Sequence, residues 1–167
     1  MRNDDFHELP PWEDDEFDDD DENEGESWKP NPTKEACKAM YAQWSEVMTV
    51  LRAGLDSLEE AKEDGLFDKE YIEDIKGTLL GDAFEVAVKI RSSESGMYII
   101  RMENASIIRK NAQYIKISTN GLLADGLMSA EYRQVIRNEI DTFRELFKAW
   151  VRTFEKDEFE DEWGLFI

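Results

Sequence analysis

From Ser129 to Phe154 the apolar positions Tyr132, Val135, Ile136, Ile140, Phe143, Leu146, Phe147, Trp150, Val151 and Phe154 share one broad stripe when turned at about 100° per residue. That spacing predicts an amphipathic helix, and the aromatics clustered toward its end make it a core element. Three earlier segments repeat the pattern. The first follows Thr33, taken as an N-cap, with Cys37, Tyr41, Trp44, Met48, Leu51, Leu55 and Leu58 as its stripe and Gly65 as its stop. The second opens at Asp68, with Phe67 placed to staple onto Ile72, and carries Ile75, Leu79, Ala83, Val86 and Ile90 inward. The third runs from about Met97 to Thr119, where Asn120-Gly121 reads as a stop, and leaves Leu122–Met128 as an inward-packing loop before Ser129.

Four helices joined by short connections predict an all-α fold, an antiparallel up-down-up-down four-helix bundle over 33–155. Acidic-aromatic segments flank it at 1–32 and 156–167. The first reads as a disordered tail, since Pro10, Pro11, Pro30 and Pro32 block regular structure and acids repel one another. Phe6, Leu9, Trp12, Phe17 and Trp28 interrupt the acid. A purely solvating tail has no use for tryptophan, so these five form a candidate linear motif. Phe159, Trp163, Leu165 and Phe166 are likewise too apolar for a solvated C-terminal tail, and docking on the bundle is one expectation for them.

Charge sharpens this division. The net charge is −20, yet residues 1–33 hold 14 acids and 2 bases, and 155–167 hold 6 acids and 1 base. The helical part is nearly balanced, with 20 acids and 17 bases. This excludes a basic stripe for direct nucleic-acid binding and speaks against an evenly acidic DNA mimic. No apolar run reaches the length of a membrane span, and the acidic N-terminus is unlike a signal peptide. The lone Cys37 excludes an internal disulfide and fits the cytoplasm.

Candidate chemistry is sparse. His7 is the only histidine and sits in the acidic tail, which removes histidine-based catalysis and Glu-x-x-His di-iron ligation. No phosphate loop or nucleophile motif is present, so no catalytic residue and no cofactor are assigned. Asp82, Arg101, Asn104, Asn111 and Glu139 all fall within or beside apolar stripes, and antiparallel pairing puts several at similar heights. They predict a polar layer across mid-bundle, either a hydrogen-bond network fixing register or an oxygen-ligand site for a small molecule or a Mg²⁺-like ion. A second candidate surface lies on the outer side of the second helix, where Gly77, Leu80, Gly81, Phe84 and Val88 share a face suited to a second copy of the chain.

The function expected from these features is a non-enzymatic helical interaction or adaptor protein, a homodimer engaging a protein partner through its acidic-aromatic ends and that outer face. The alternatives are ligand or metal binding by the mid-bundle layer, and mimicry of DNA toward a nucleic-acid-binding protein.

Overall fold

The computed structural model describes residues 9–13, 30–58 and 67–166. Four helices carry it: α1 (Pro32–Asp56), α2 (Lys69–Arg91), α3 (Tyr98–Ala124) and α4 (Ala130–Val151). The closest pairs are α1 with α4 and α2 with α3, while α1–α2 and α3–α4 complete the ring. Neither diagonal pair makes backbone-level contact. Consecutive helices are thus neighbours, as short connections require, and the chain folds as the up-down-up-down bundle its periodicity predicts. Among the described residues no helix is long and apolar enough to cross a membrane.

Trp44 ties three helices together. It is fully buried on α1, its ring lies 4.7 Å from that of Phe143 on α4, and its indole N–H donates to the Ala83 carbonyl of α2 at 2.8 Å. At the other end of α4, Trp150 packs against Phe147 and meets Phe154 edge-on at 4.5 Å. Gly54 sets how closely α1 approaches α4, because a Cβ there would stand 2.9 Å from Ile136 Cδ1.

Helix ends show where local chemistry overrode the expected stops. The N-cap of α1 is Asn31, whose side chain accepts from the Lys34 N–H at 3.0 Å, with Pro32 in the first turn. Thr33, expected as the cap, is buried instead, and its hydroxyl donates sideways to Thr153 Oγ1 at 2.9 Å. α1 ends at Asp56, well before Gly65, which lies outside the described residues. There the Ser57 hydroxyl takes the Gly54 carbonyl at 2.5 Å, competing with the helical ladder. α2 starts from Asp68 as expected, but Phe67 stacks on Tyr71, at 5.2 Å, where Ile72 was the predicted staple partner.

α3 runs through Asn120-Gly121 to Ala124 and absorbs part of the predicted loop. Its stop is Gly126, at φ 73°, in a Schellman motif. The Gly126 N–H donates to the Leu123 carbonyl at 3.0 Å, the Leu127 N–H donates to the Leu122 carbonyl at 2.9 Å, and the Leu122 and Leu127 side chains are buried. α4 opens at Ser129, whose hydroxyl accepts from the Tyr132 N–H. Tyr132 and Val135, assigned to the inward stripe of the last helix, are exposed, as are Ile100 and Tyr114 on α3. A helix in a four-membered ring touches only two neighbours, so positions at the flank of a broad stripe stay at the surface.

The N-terminus of α3 is completed from the far end of the chain. Met97 at its N-cap supplies no side-chain bond, and Asp157 Oδ2 accepts from the Tyr98 N–H at 2.8 Å. A carboxylate there also meets the positive end of the helix dipole. Asp157→Ala should therefore cost about 0.5–2 kcal/mol, the usual effect of losing a cap. Hydrogen exchange at the first turn of α3 measures it, and unchanged exchange would show that this bond does not hold the helix end.

Candidate functional site

The five polar residues expected to form one layer are divided among separate places. Asn104, buried on α3, donates to Ser93 Oγ at 2.9 Å and to Ser92 Oγ at 3.3 Å. Arg101, a turn earlier, donates to the Ser93 and Glu94 carbonyls, each at 3.4 Å. Both residues brace the turn between α2 and α3. Asn111, further along α3, donates to Glu85 on α2 at 2.6 Å. Glu139 accepts from Gln43 on α1 at 2.6 Å, across a different seam of the bundle. Asp82 is half-buried; desolvation, with the Glu85 charge beside it, raises its pKa against the pull of Lys110.

Similar height along the bundle is what the sequence predicts for these residues. Their angular positions separate them, because Asp82, Glu85 and Asn111 face the α2–α3 seam and Glu139 faces α1. Gln43 and Glu85, the actual partners, went unselected in the sequence. Gln43 stands one residue before Trp44 and is half-buried, while Glu85 stands three after Asp82 and is exposed, so neither position announces its bond in the sequence. Among the described residues no three His, Cys, Asp or Glu side chains converge on a point that would hold a metal. Burial pushes the Cys37 thiol up to about 12, which leaves it protonated and without nucleophilic character. A groove of about 450 Å³ between α2 and α3, lined by Tyr71, Ile75, Leu79, Tyr114 and Leu122, carries Asp74 and Asp125 among its lining residues but no acid–base pair.

The outer face of α2 is less apolar than expected. Leu80 and Phe84 are half-buried and pack against the core, which leaves Val88, 61 % exposed, and the open positions Gly77 and Gly81. Phe84 lies at the flank of the buried stripe, close enough to reach inward.

The ends of the chain hold the most distinctive geometry. Of the five residues expected in an N-terminal motif, Phe6, Phe17 and Trp28 lie outside the described residues. Leu9 and Trp12, expected as part of a motif in a disordered tail, pack against the bundle core. The Trp12 ring meets Tyr41 edge-on at 5.4 Å, and the Arg91 guanidinium covers its face at 4.6 Å. The Tyr41 hydroxyl donates to the Pro10 carbonyl at 2.7 Å, and Arg91 Nη2 reaches the Glu13 carbonyl at 3.5 Å.

At the other end, Asp161 organises a tight turn. Its carboxylate accepts from the N–H groups of Trp163 at 3.0 Å, Leu165 at 2.7 Å and Phe166 at 2.9 Å, with Gly164 at φ 66°. Gly164 supplies the left-handed conformation that aims the amides of Trp163, Leu165 and Phe166 at one side chain. The bonds from Phe166, Trp163 and Leu165 hold the Asp161 carboxyl below the usual carboxylate range. Phe166 is half-buried, while Trp163 is 94 % exposed and Leu165 is 71 % exposed. Because the folded-state pKa is lowered, the stabilisation of this turn is complete above the free-aspartate value of about 3.9 and is lost as pH falls through the lowered value. The Leu165 and Phe166 amide resonances should report that loss, with a midpoint below that of free aspartate. A midpoint at the ordinary value would mean the turn is not held by this carboxylate.

Compared with family models, curated proteins and solved structures, the chain matches none.

Proposed function

We propose that this chain is a non-enzymatic helical interaction protein whose C-terminal turn hooks a protein partner. The observation that carries this reading is the full exposure of Trp163 beside Leu165 on a turn tied at three amides. Tryptophan is the residue most enriched among interface hot spots, and a side chain left in water on a rigid turn gains the most from a partner's pocket. The turn also lowers the ordering cost of binding, about 0.5–1.5 kcal/mol for each side chain otherwise immobilised. The six acids and single base from Glu155 onward favour a pocket with a basic rim. One free, buried cysteine suits the cytoplasm, where we place the protein.

Quantitative capture from the source cell tests the reading. A partner retained in stoichiometric amount by the intact chain should be lost with Trp163→Ala and Leu165→Ala together, while the melting temperature stays unchanged. Identical retention by both proteins would contradict it.

A homodimer through the outer face of α2 is the second contact in this reading, favoured by Val88 at 61 % exposure and by the open backbone at Gly77 and Gly81. Light scattering should give twice the chain mass of 19.5 kDa, and Val88→Glu should halve it without loss of helix. Phe84→Glu is unsuitable for this test because Phe84 packs inward. A monomeric parent protein would remove the dimer and leave the C-terminal hook standing.

A further inference from the structure

The contacts of Leu9–Glu13 have the character of a bound peptide. The segment has neither helix nor strand, and Pro10, Pro11 and Glu13 remain exposed while Leu9 and Trp12 turn inward. It is recognised by the tips of two side chains fixed on different helices. Tyr41 on α1 donates to a backbone carbonyl, and Arg91, the last residue of α2, lies over the indole and reaches a second carbonyl. A carbonyl taken by a hydroxyl, an aromatic anchor under a guanidinium and two rigidifying prolines are the elements of proline-rich peptide recognition on an aromatic surface. In sequence, 16 residues separate this segment from Pro30, ten of them acidic, so it reaches the platform as a tethered ligand.

The occupant leaves the platform incompletely satisfied. Among the described residues, Arg91 Nη1 on the platform and Trp12 Nε1 on the segment itself are buried without a hydrogen-bond partner. Buried donors without acceptors are costly, and a ligand that brings an acceptor to this spot binds better than the resident segment.

We propose that Tyr41 and Arg91 form a docking site for acidic peptides with a Pro-Pro-Trp core, filled in cis by Leu9–Glu13 and open to the same chemistry on another protein. The cis segment then acts as a competitor. A short tether gives an effective concentration on the order of millimolar, so an incoming peptide needs the additional acceptor to displace it. This site is separate from the C-terminal turn, and its failure would leave the hook untouched.

The test uses the full chain and a labelled synthetic peptide, ELPPWED, matching residues 8–14. Trp12→Ala empties the platform, and fluorescence anisotropy should then show saturable binding of the peptide. The wild-type chain should bind it at least about 10-fold more weakly, since the competent fraction is small. Adding Arg91→Ala to the emptied chain should abolish binding, as should replacing the peptide's tryptophan by alanine. A chain carrying Pro10→Gly and Pro11→Gly loosens the segment without removing a packed side chain, and it should reproduce the gain if Trp12→Ala disturbs the fold. No saturable binding to either chain up to about 1 mM peptide, the scale of the tether's own effective concentration, overturns the proposal. So does binding that survives Arg91→Ala undiminished.

Discussion

Trp44→Ala should lower the stability of the fold by about 3–5 kcal/mol, the range for truncating a large buried aromatic. The side chain is fully buried, lies tilted against Phe143 and donates to the Ala83 carbonyl, so its removal opens a cavity where α1, α2 and α4 meet. Collapse cannot fill that space easily, because Gly54 already brings α1 against Ile136 at the limit of contact. Against a total of about 5–15 kcal/mol for a typical domain, the loss is a large fraction. Urea denaturation measures it, as a lower midpoint at an unchanged slope. A change within about 0.5 kcal/mol, as at a surface position, would mean that the helices do not pack around this residue.

Trp12→Ala should cost about 2–3 kcal/mol, although the residue lies in the most acidic part of the chain. A desolvated cation–π contact contributes up to about 2 kcal/mol, and an edge-to-face aromatic pair about 0.5–1.5 kcal/mol. The Arg91 and Tyr41 contacts share one ring, so they do not simply add. For a chain of this size the melting temperature should fall by about 5–10 °C. Removing residues 1–29 should give a similar fall. An unchanged melting temperature in both would return Trp12 to solvent and take the peptide platform with it.

The contrast between α4 and Trp12 shows which features were legible in the sequence. The stripe from Ile136 through Ile140 and Phe143 to Trp150 is periodic within one segment, and those four residues are buried as the period requires. The number of helices, their order and their antiparallel arrangement follow from the same local signal and from short connections. Caps were half legible: Asp68 and Ser129 act as expected, but Thr33 gave its position to Asn31 because a distant Thr153 took its hydroxyl. The end of α3 was misplaced because Asn-Gly is compatible with a helix when tertiary contacts favour it, here the burial of Leu122 against the turn at Leu127.

Functional geometry was less legible because its partners are far apart in sequence. Composition assigns Trp12 to a disordered acidic tail, and nothing near it announces Arg91, which ends α2. Asp157 and Asp161 look like members of one acidic run, yet one caps α3 and the other builds a turn. The order Asp161, Trp163, Gly164, Leu165 was the available signal for that turn, since a carboxylate two to five residues before free amides around a glycine can cap them. Glu139 and Asn111, expected in one polar layer, enter different seams, because one-dimensional height does not say which seam a side chain enters.

The most direct test of the C-terminal hook is a photo-crosslinking amino acid placed at position 163 of the intact chain and activated in the source cell. The account predicts a crosslink to one other protein, at a peptide lining an apolar pocket with lysine or arginine at its rim, weakened by Asp161→Ala. Crosslinks confined to the chain itself, or none at all, would contradict it.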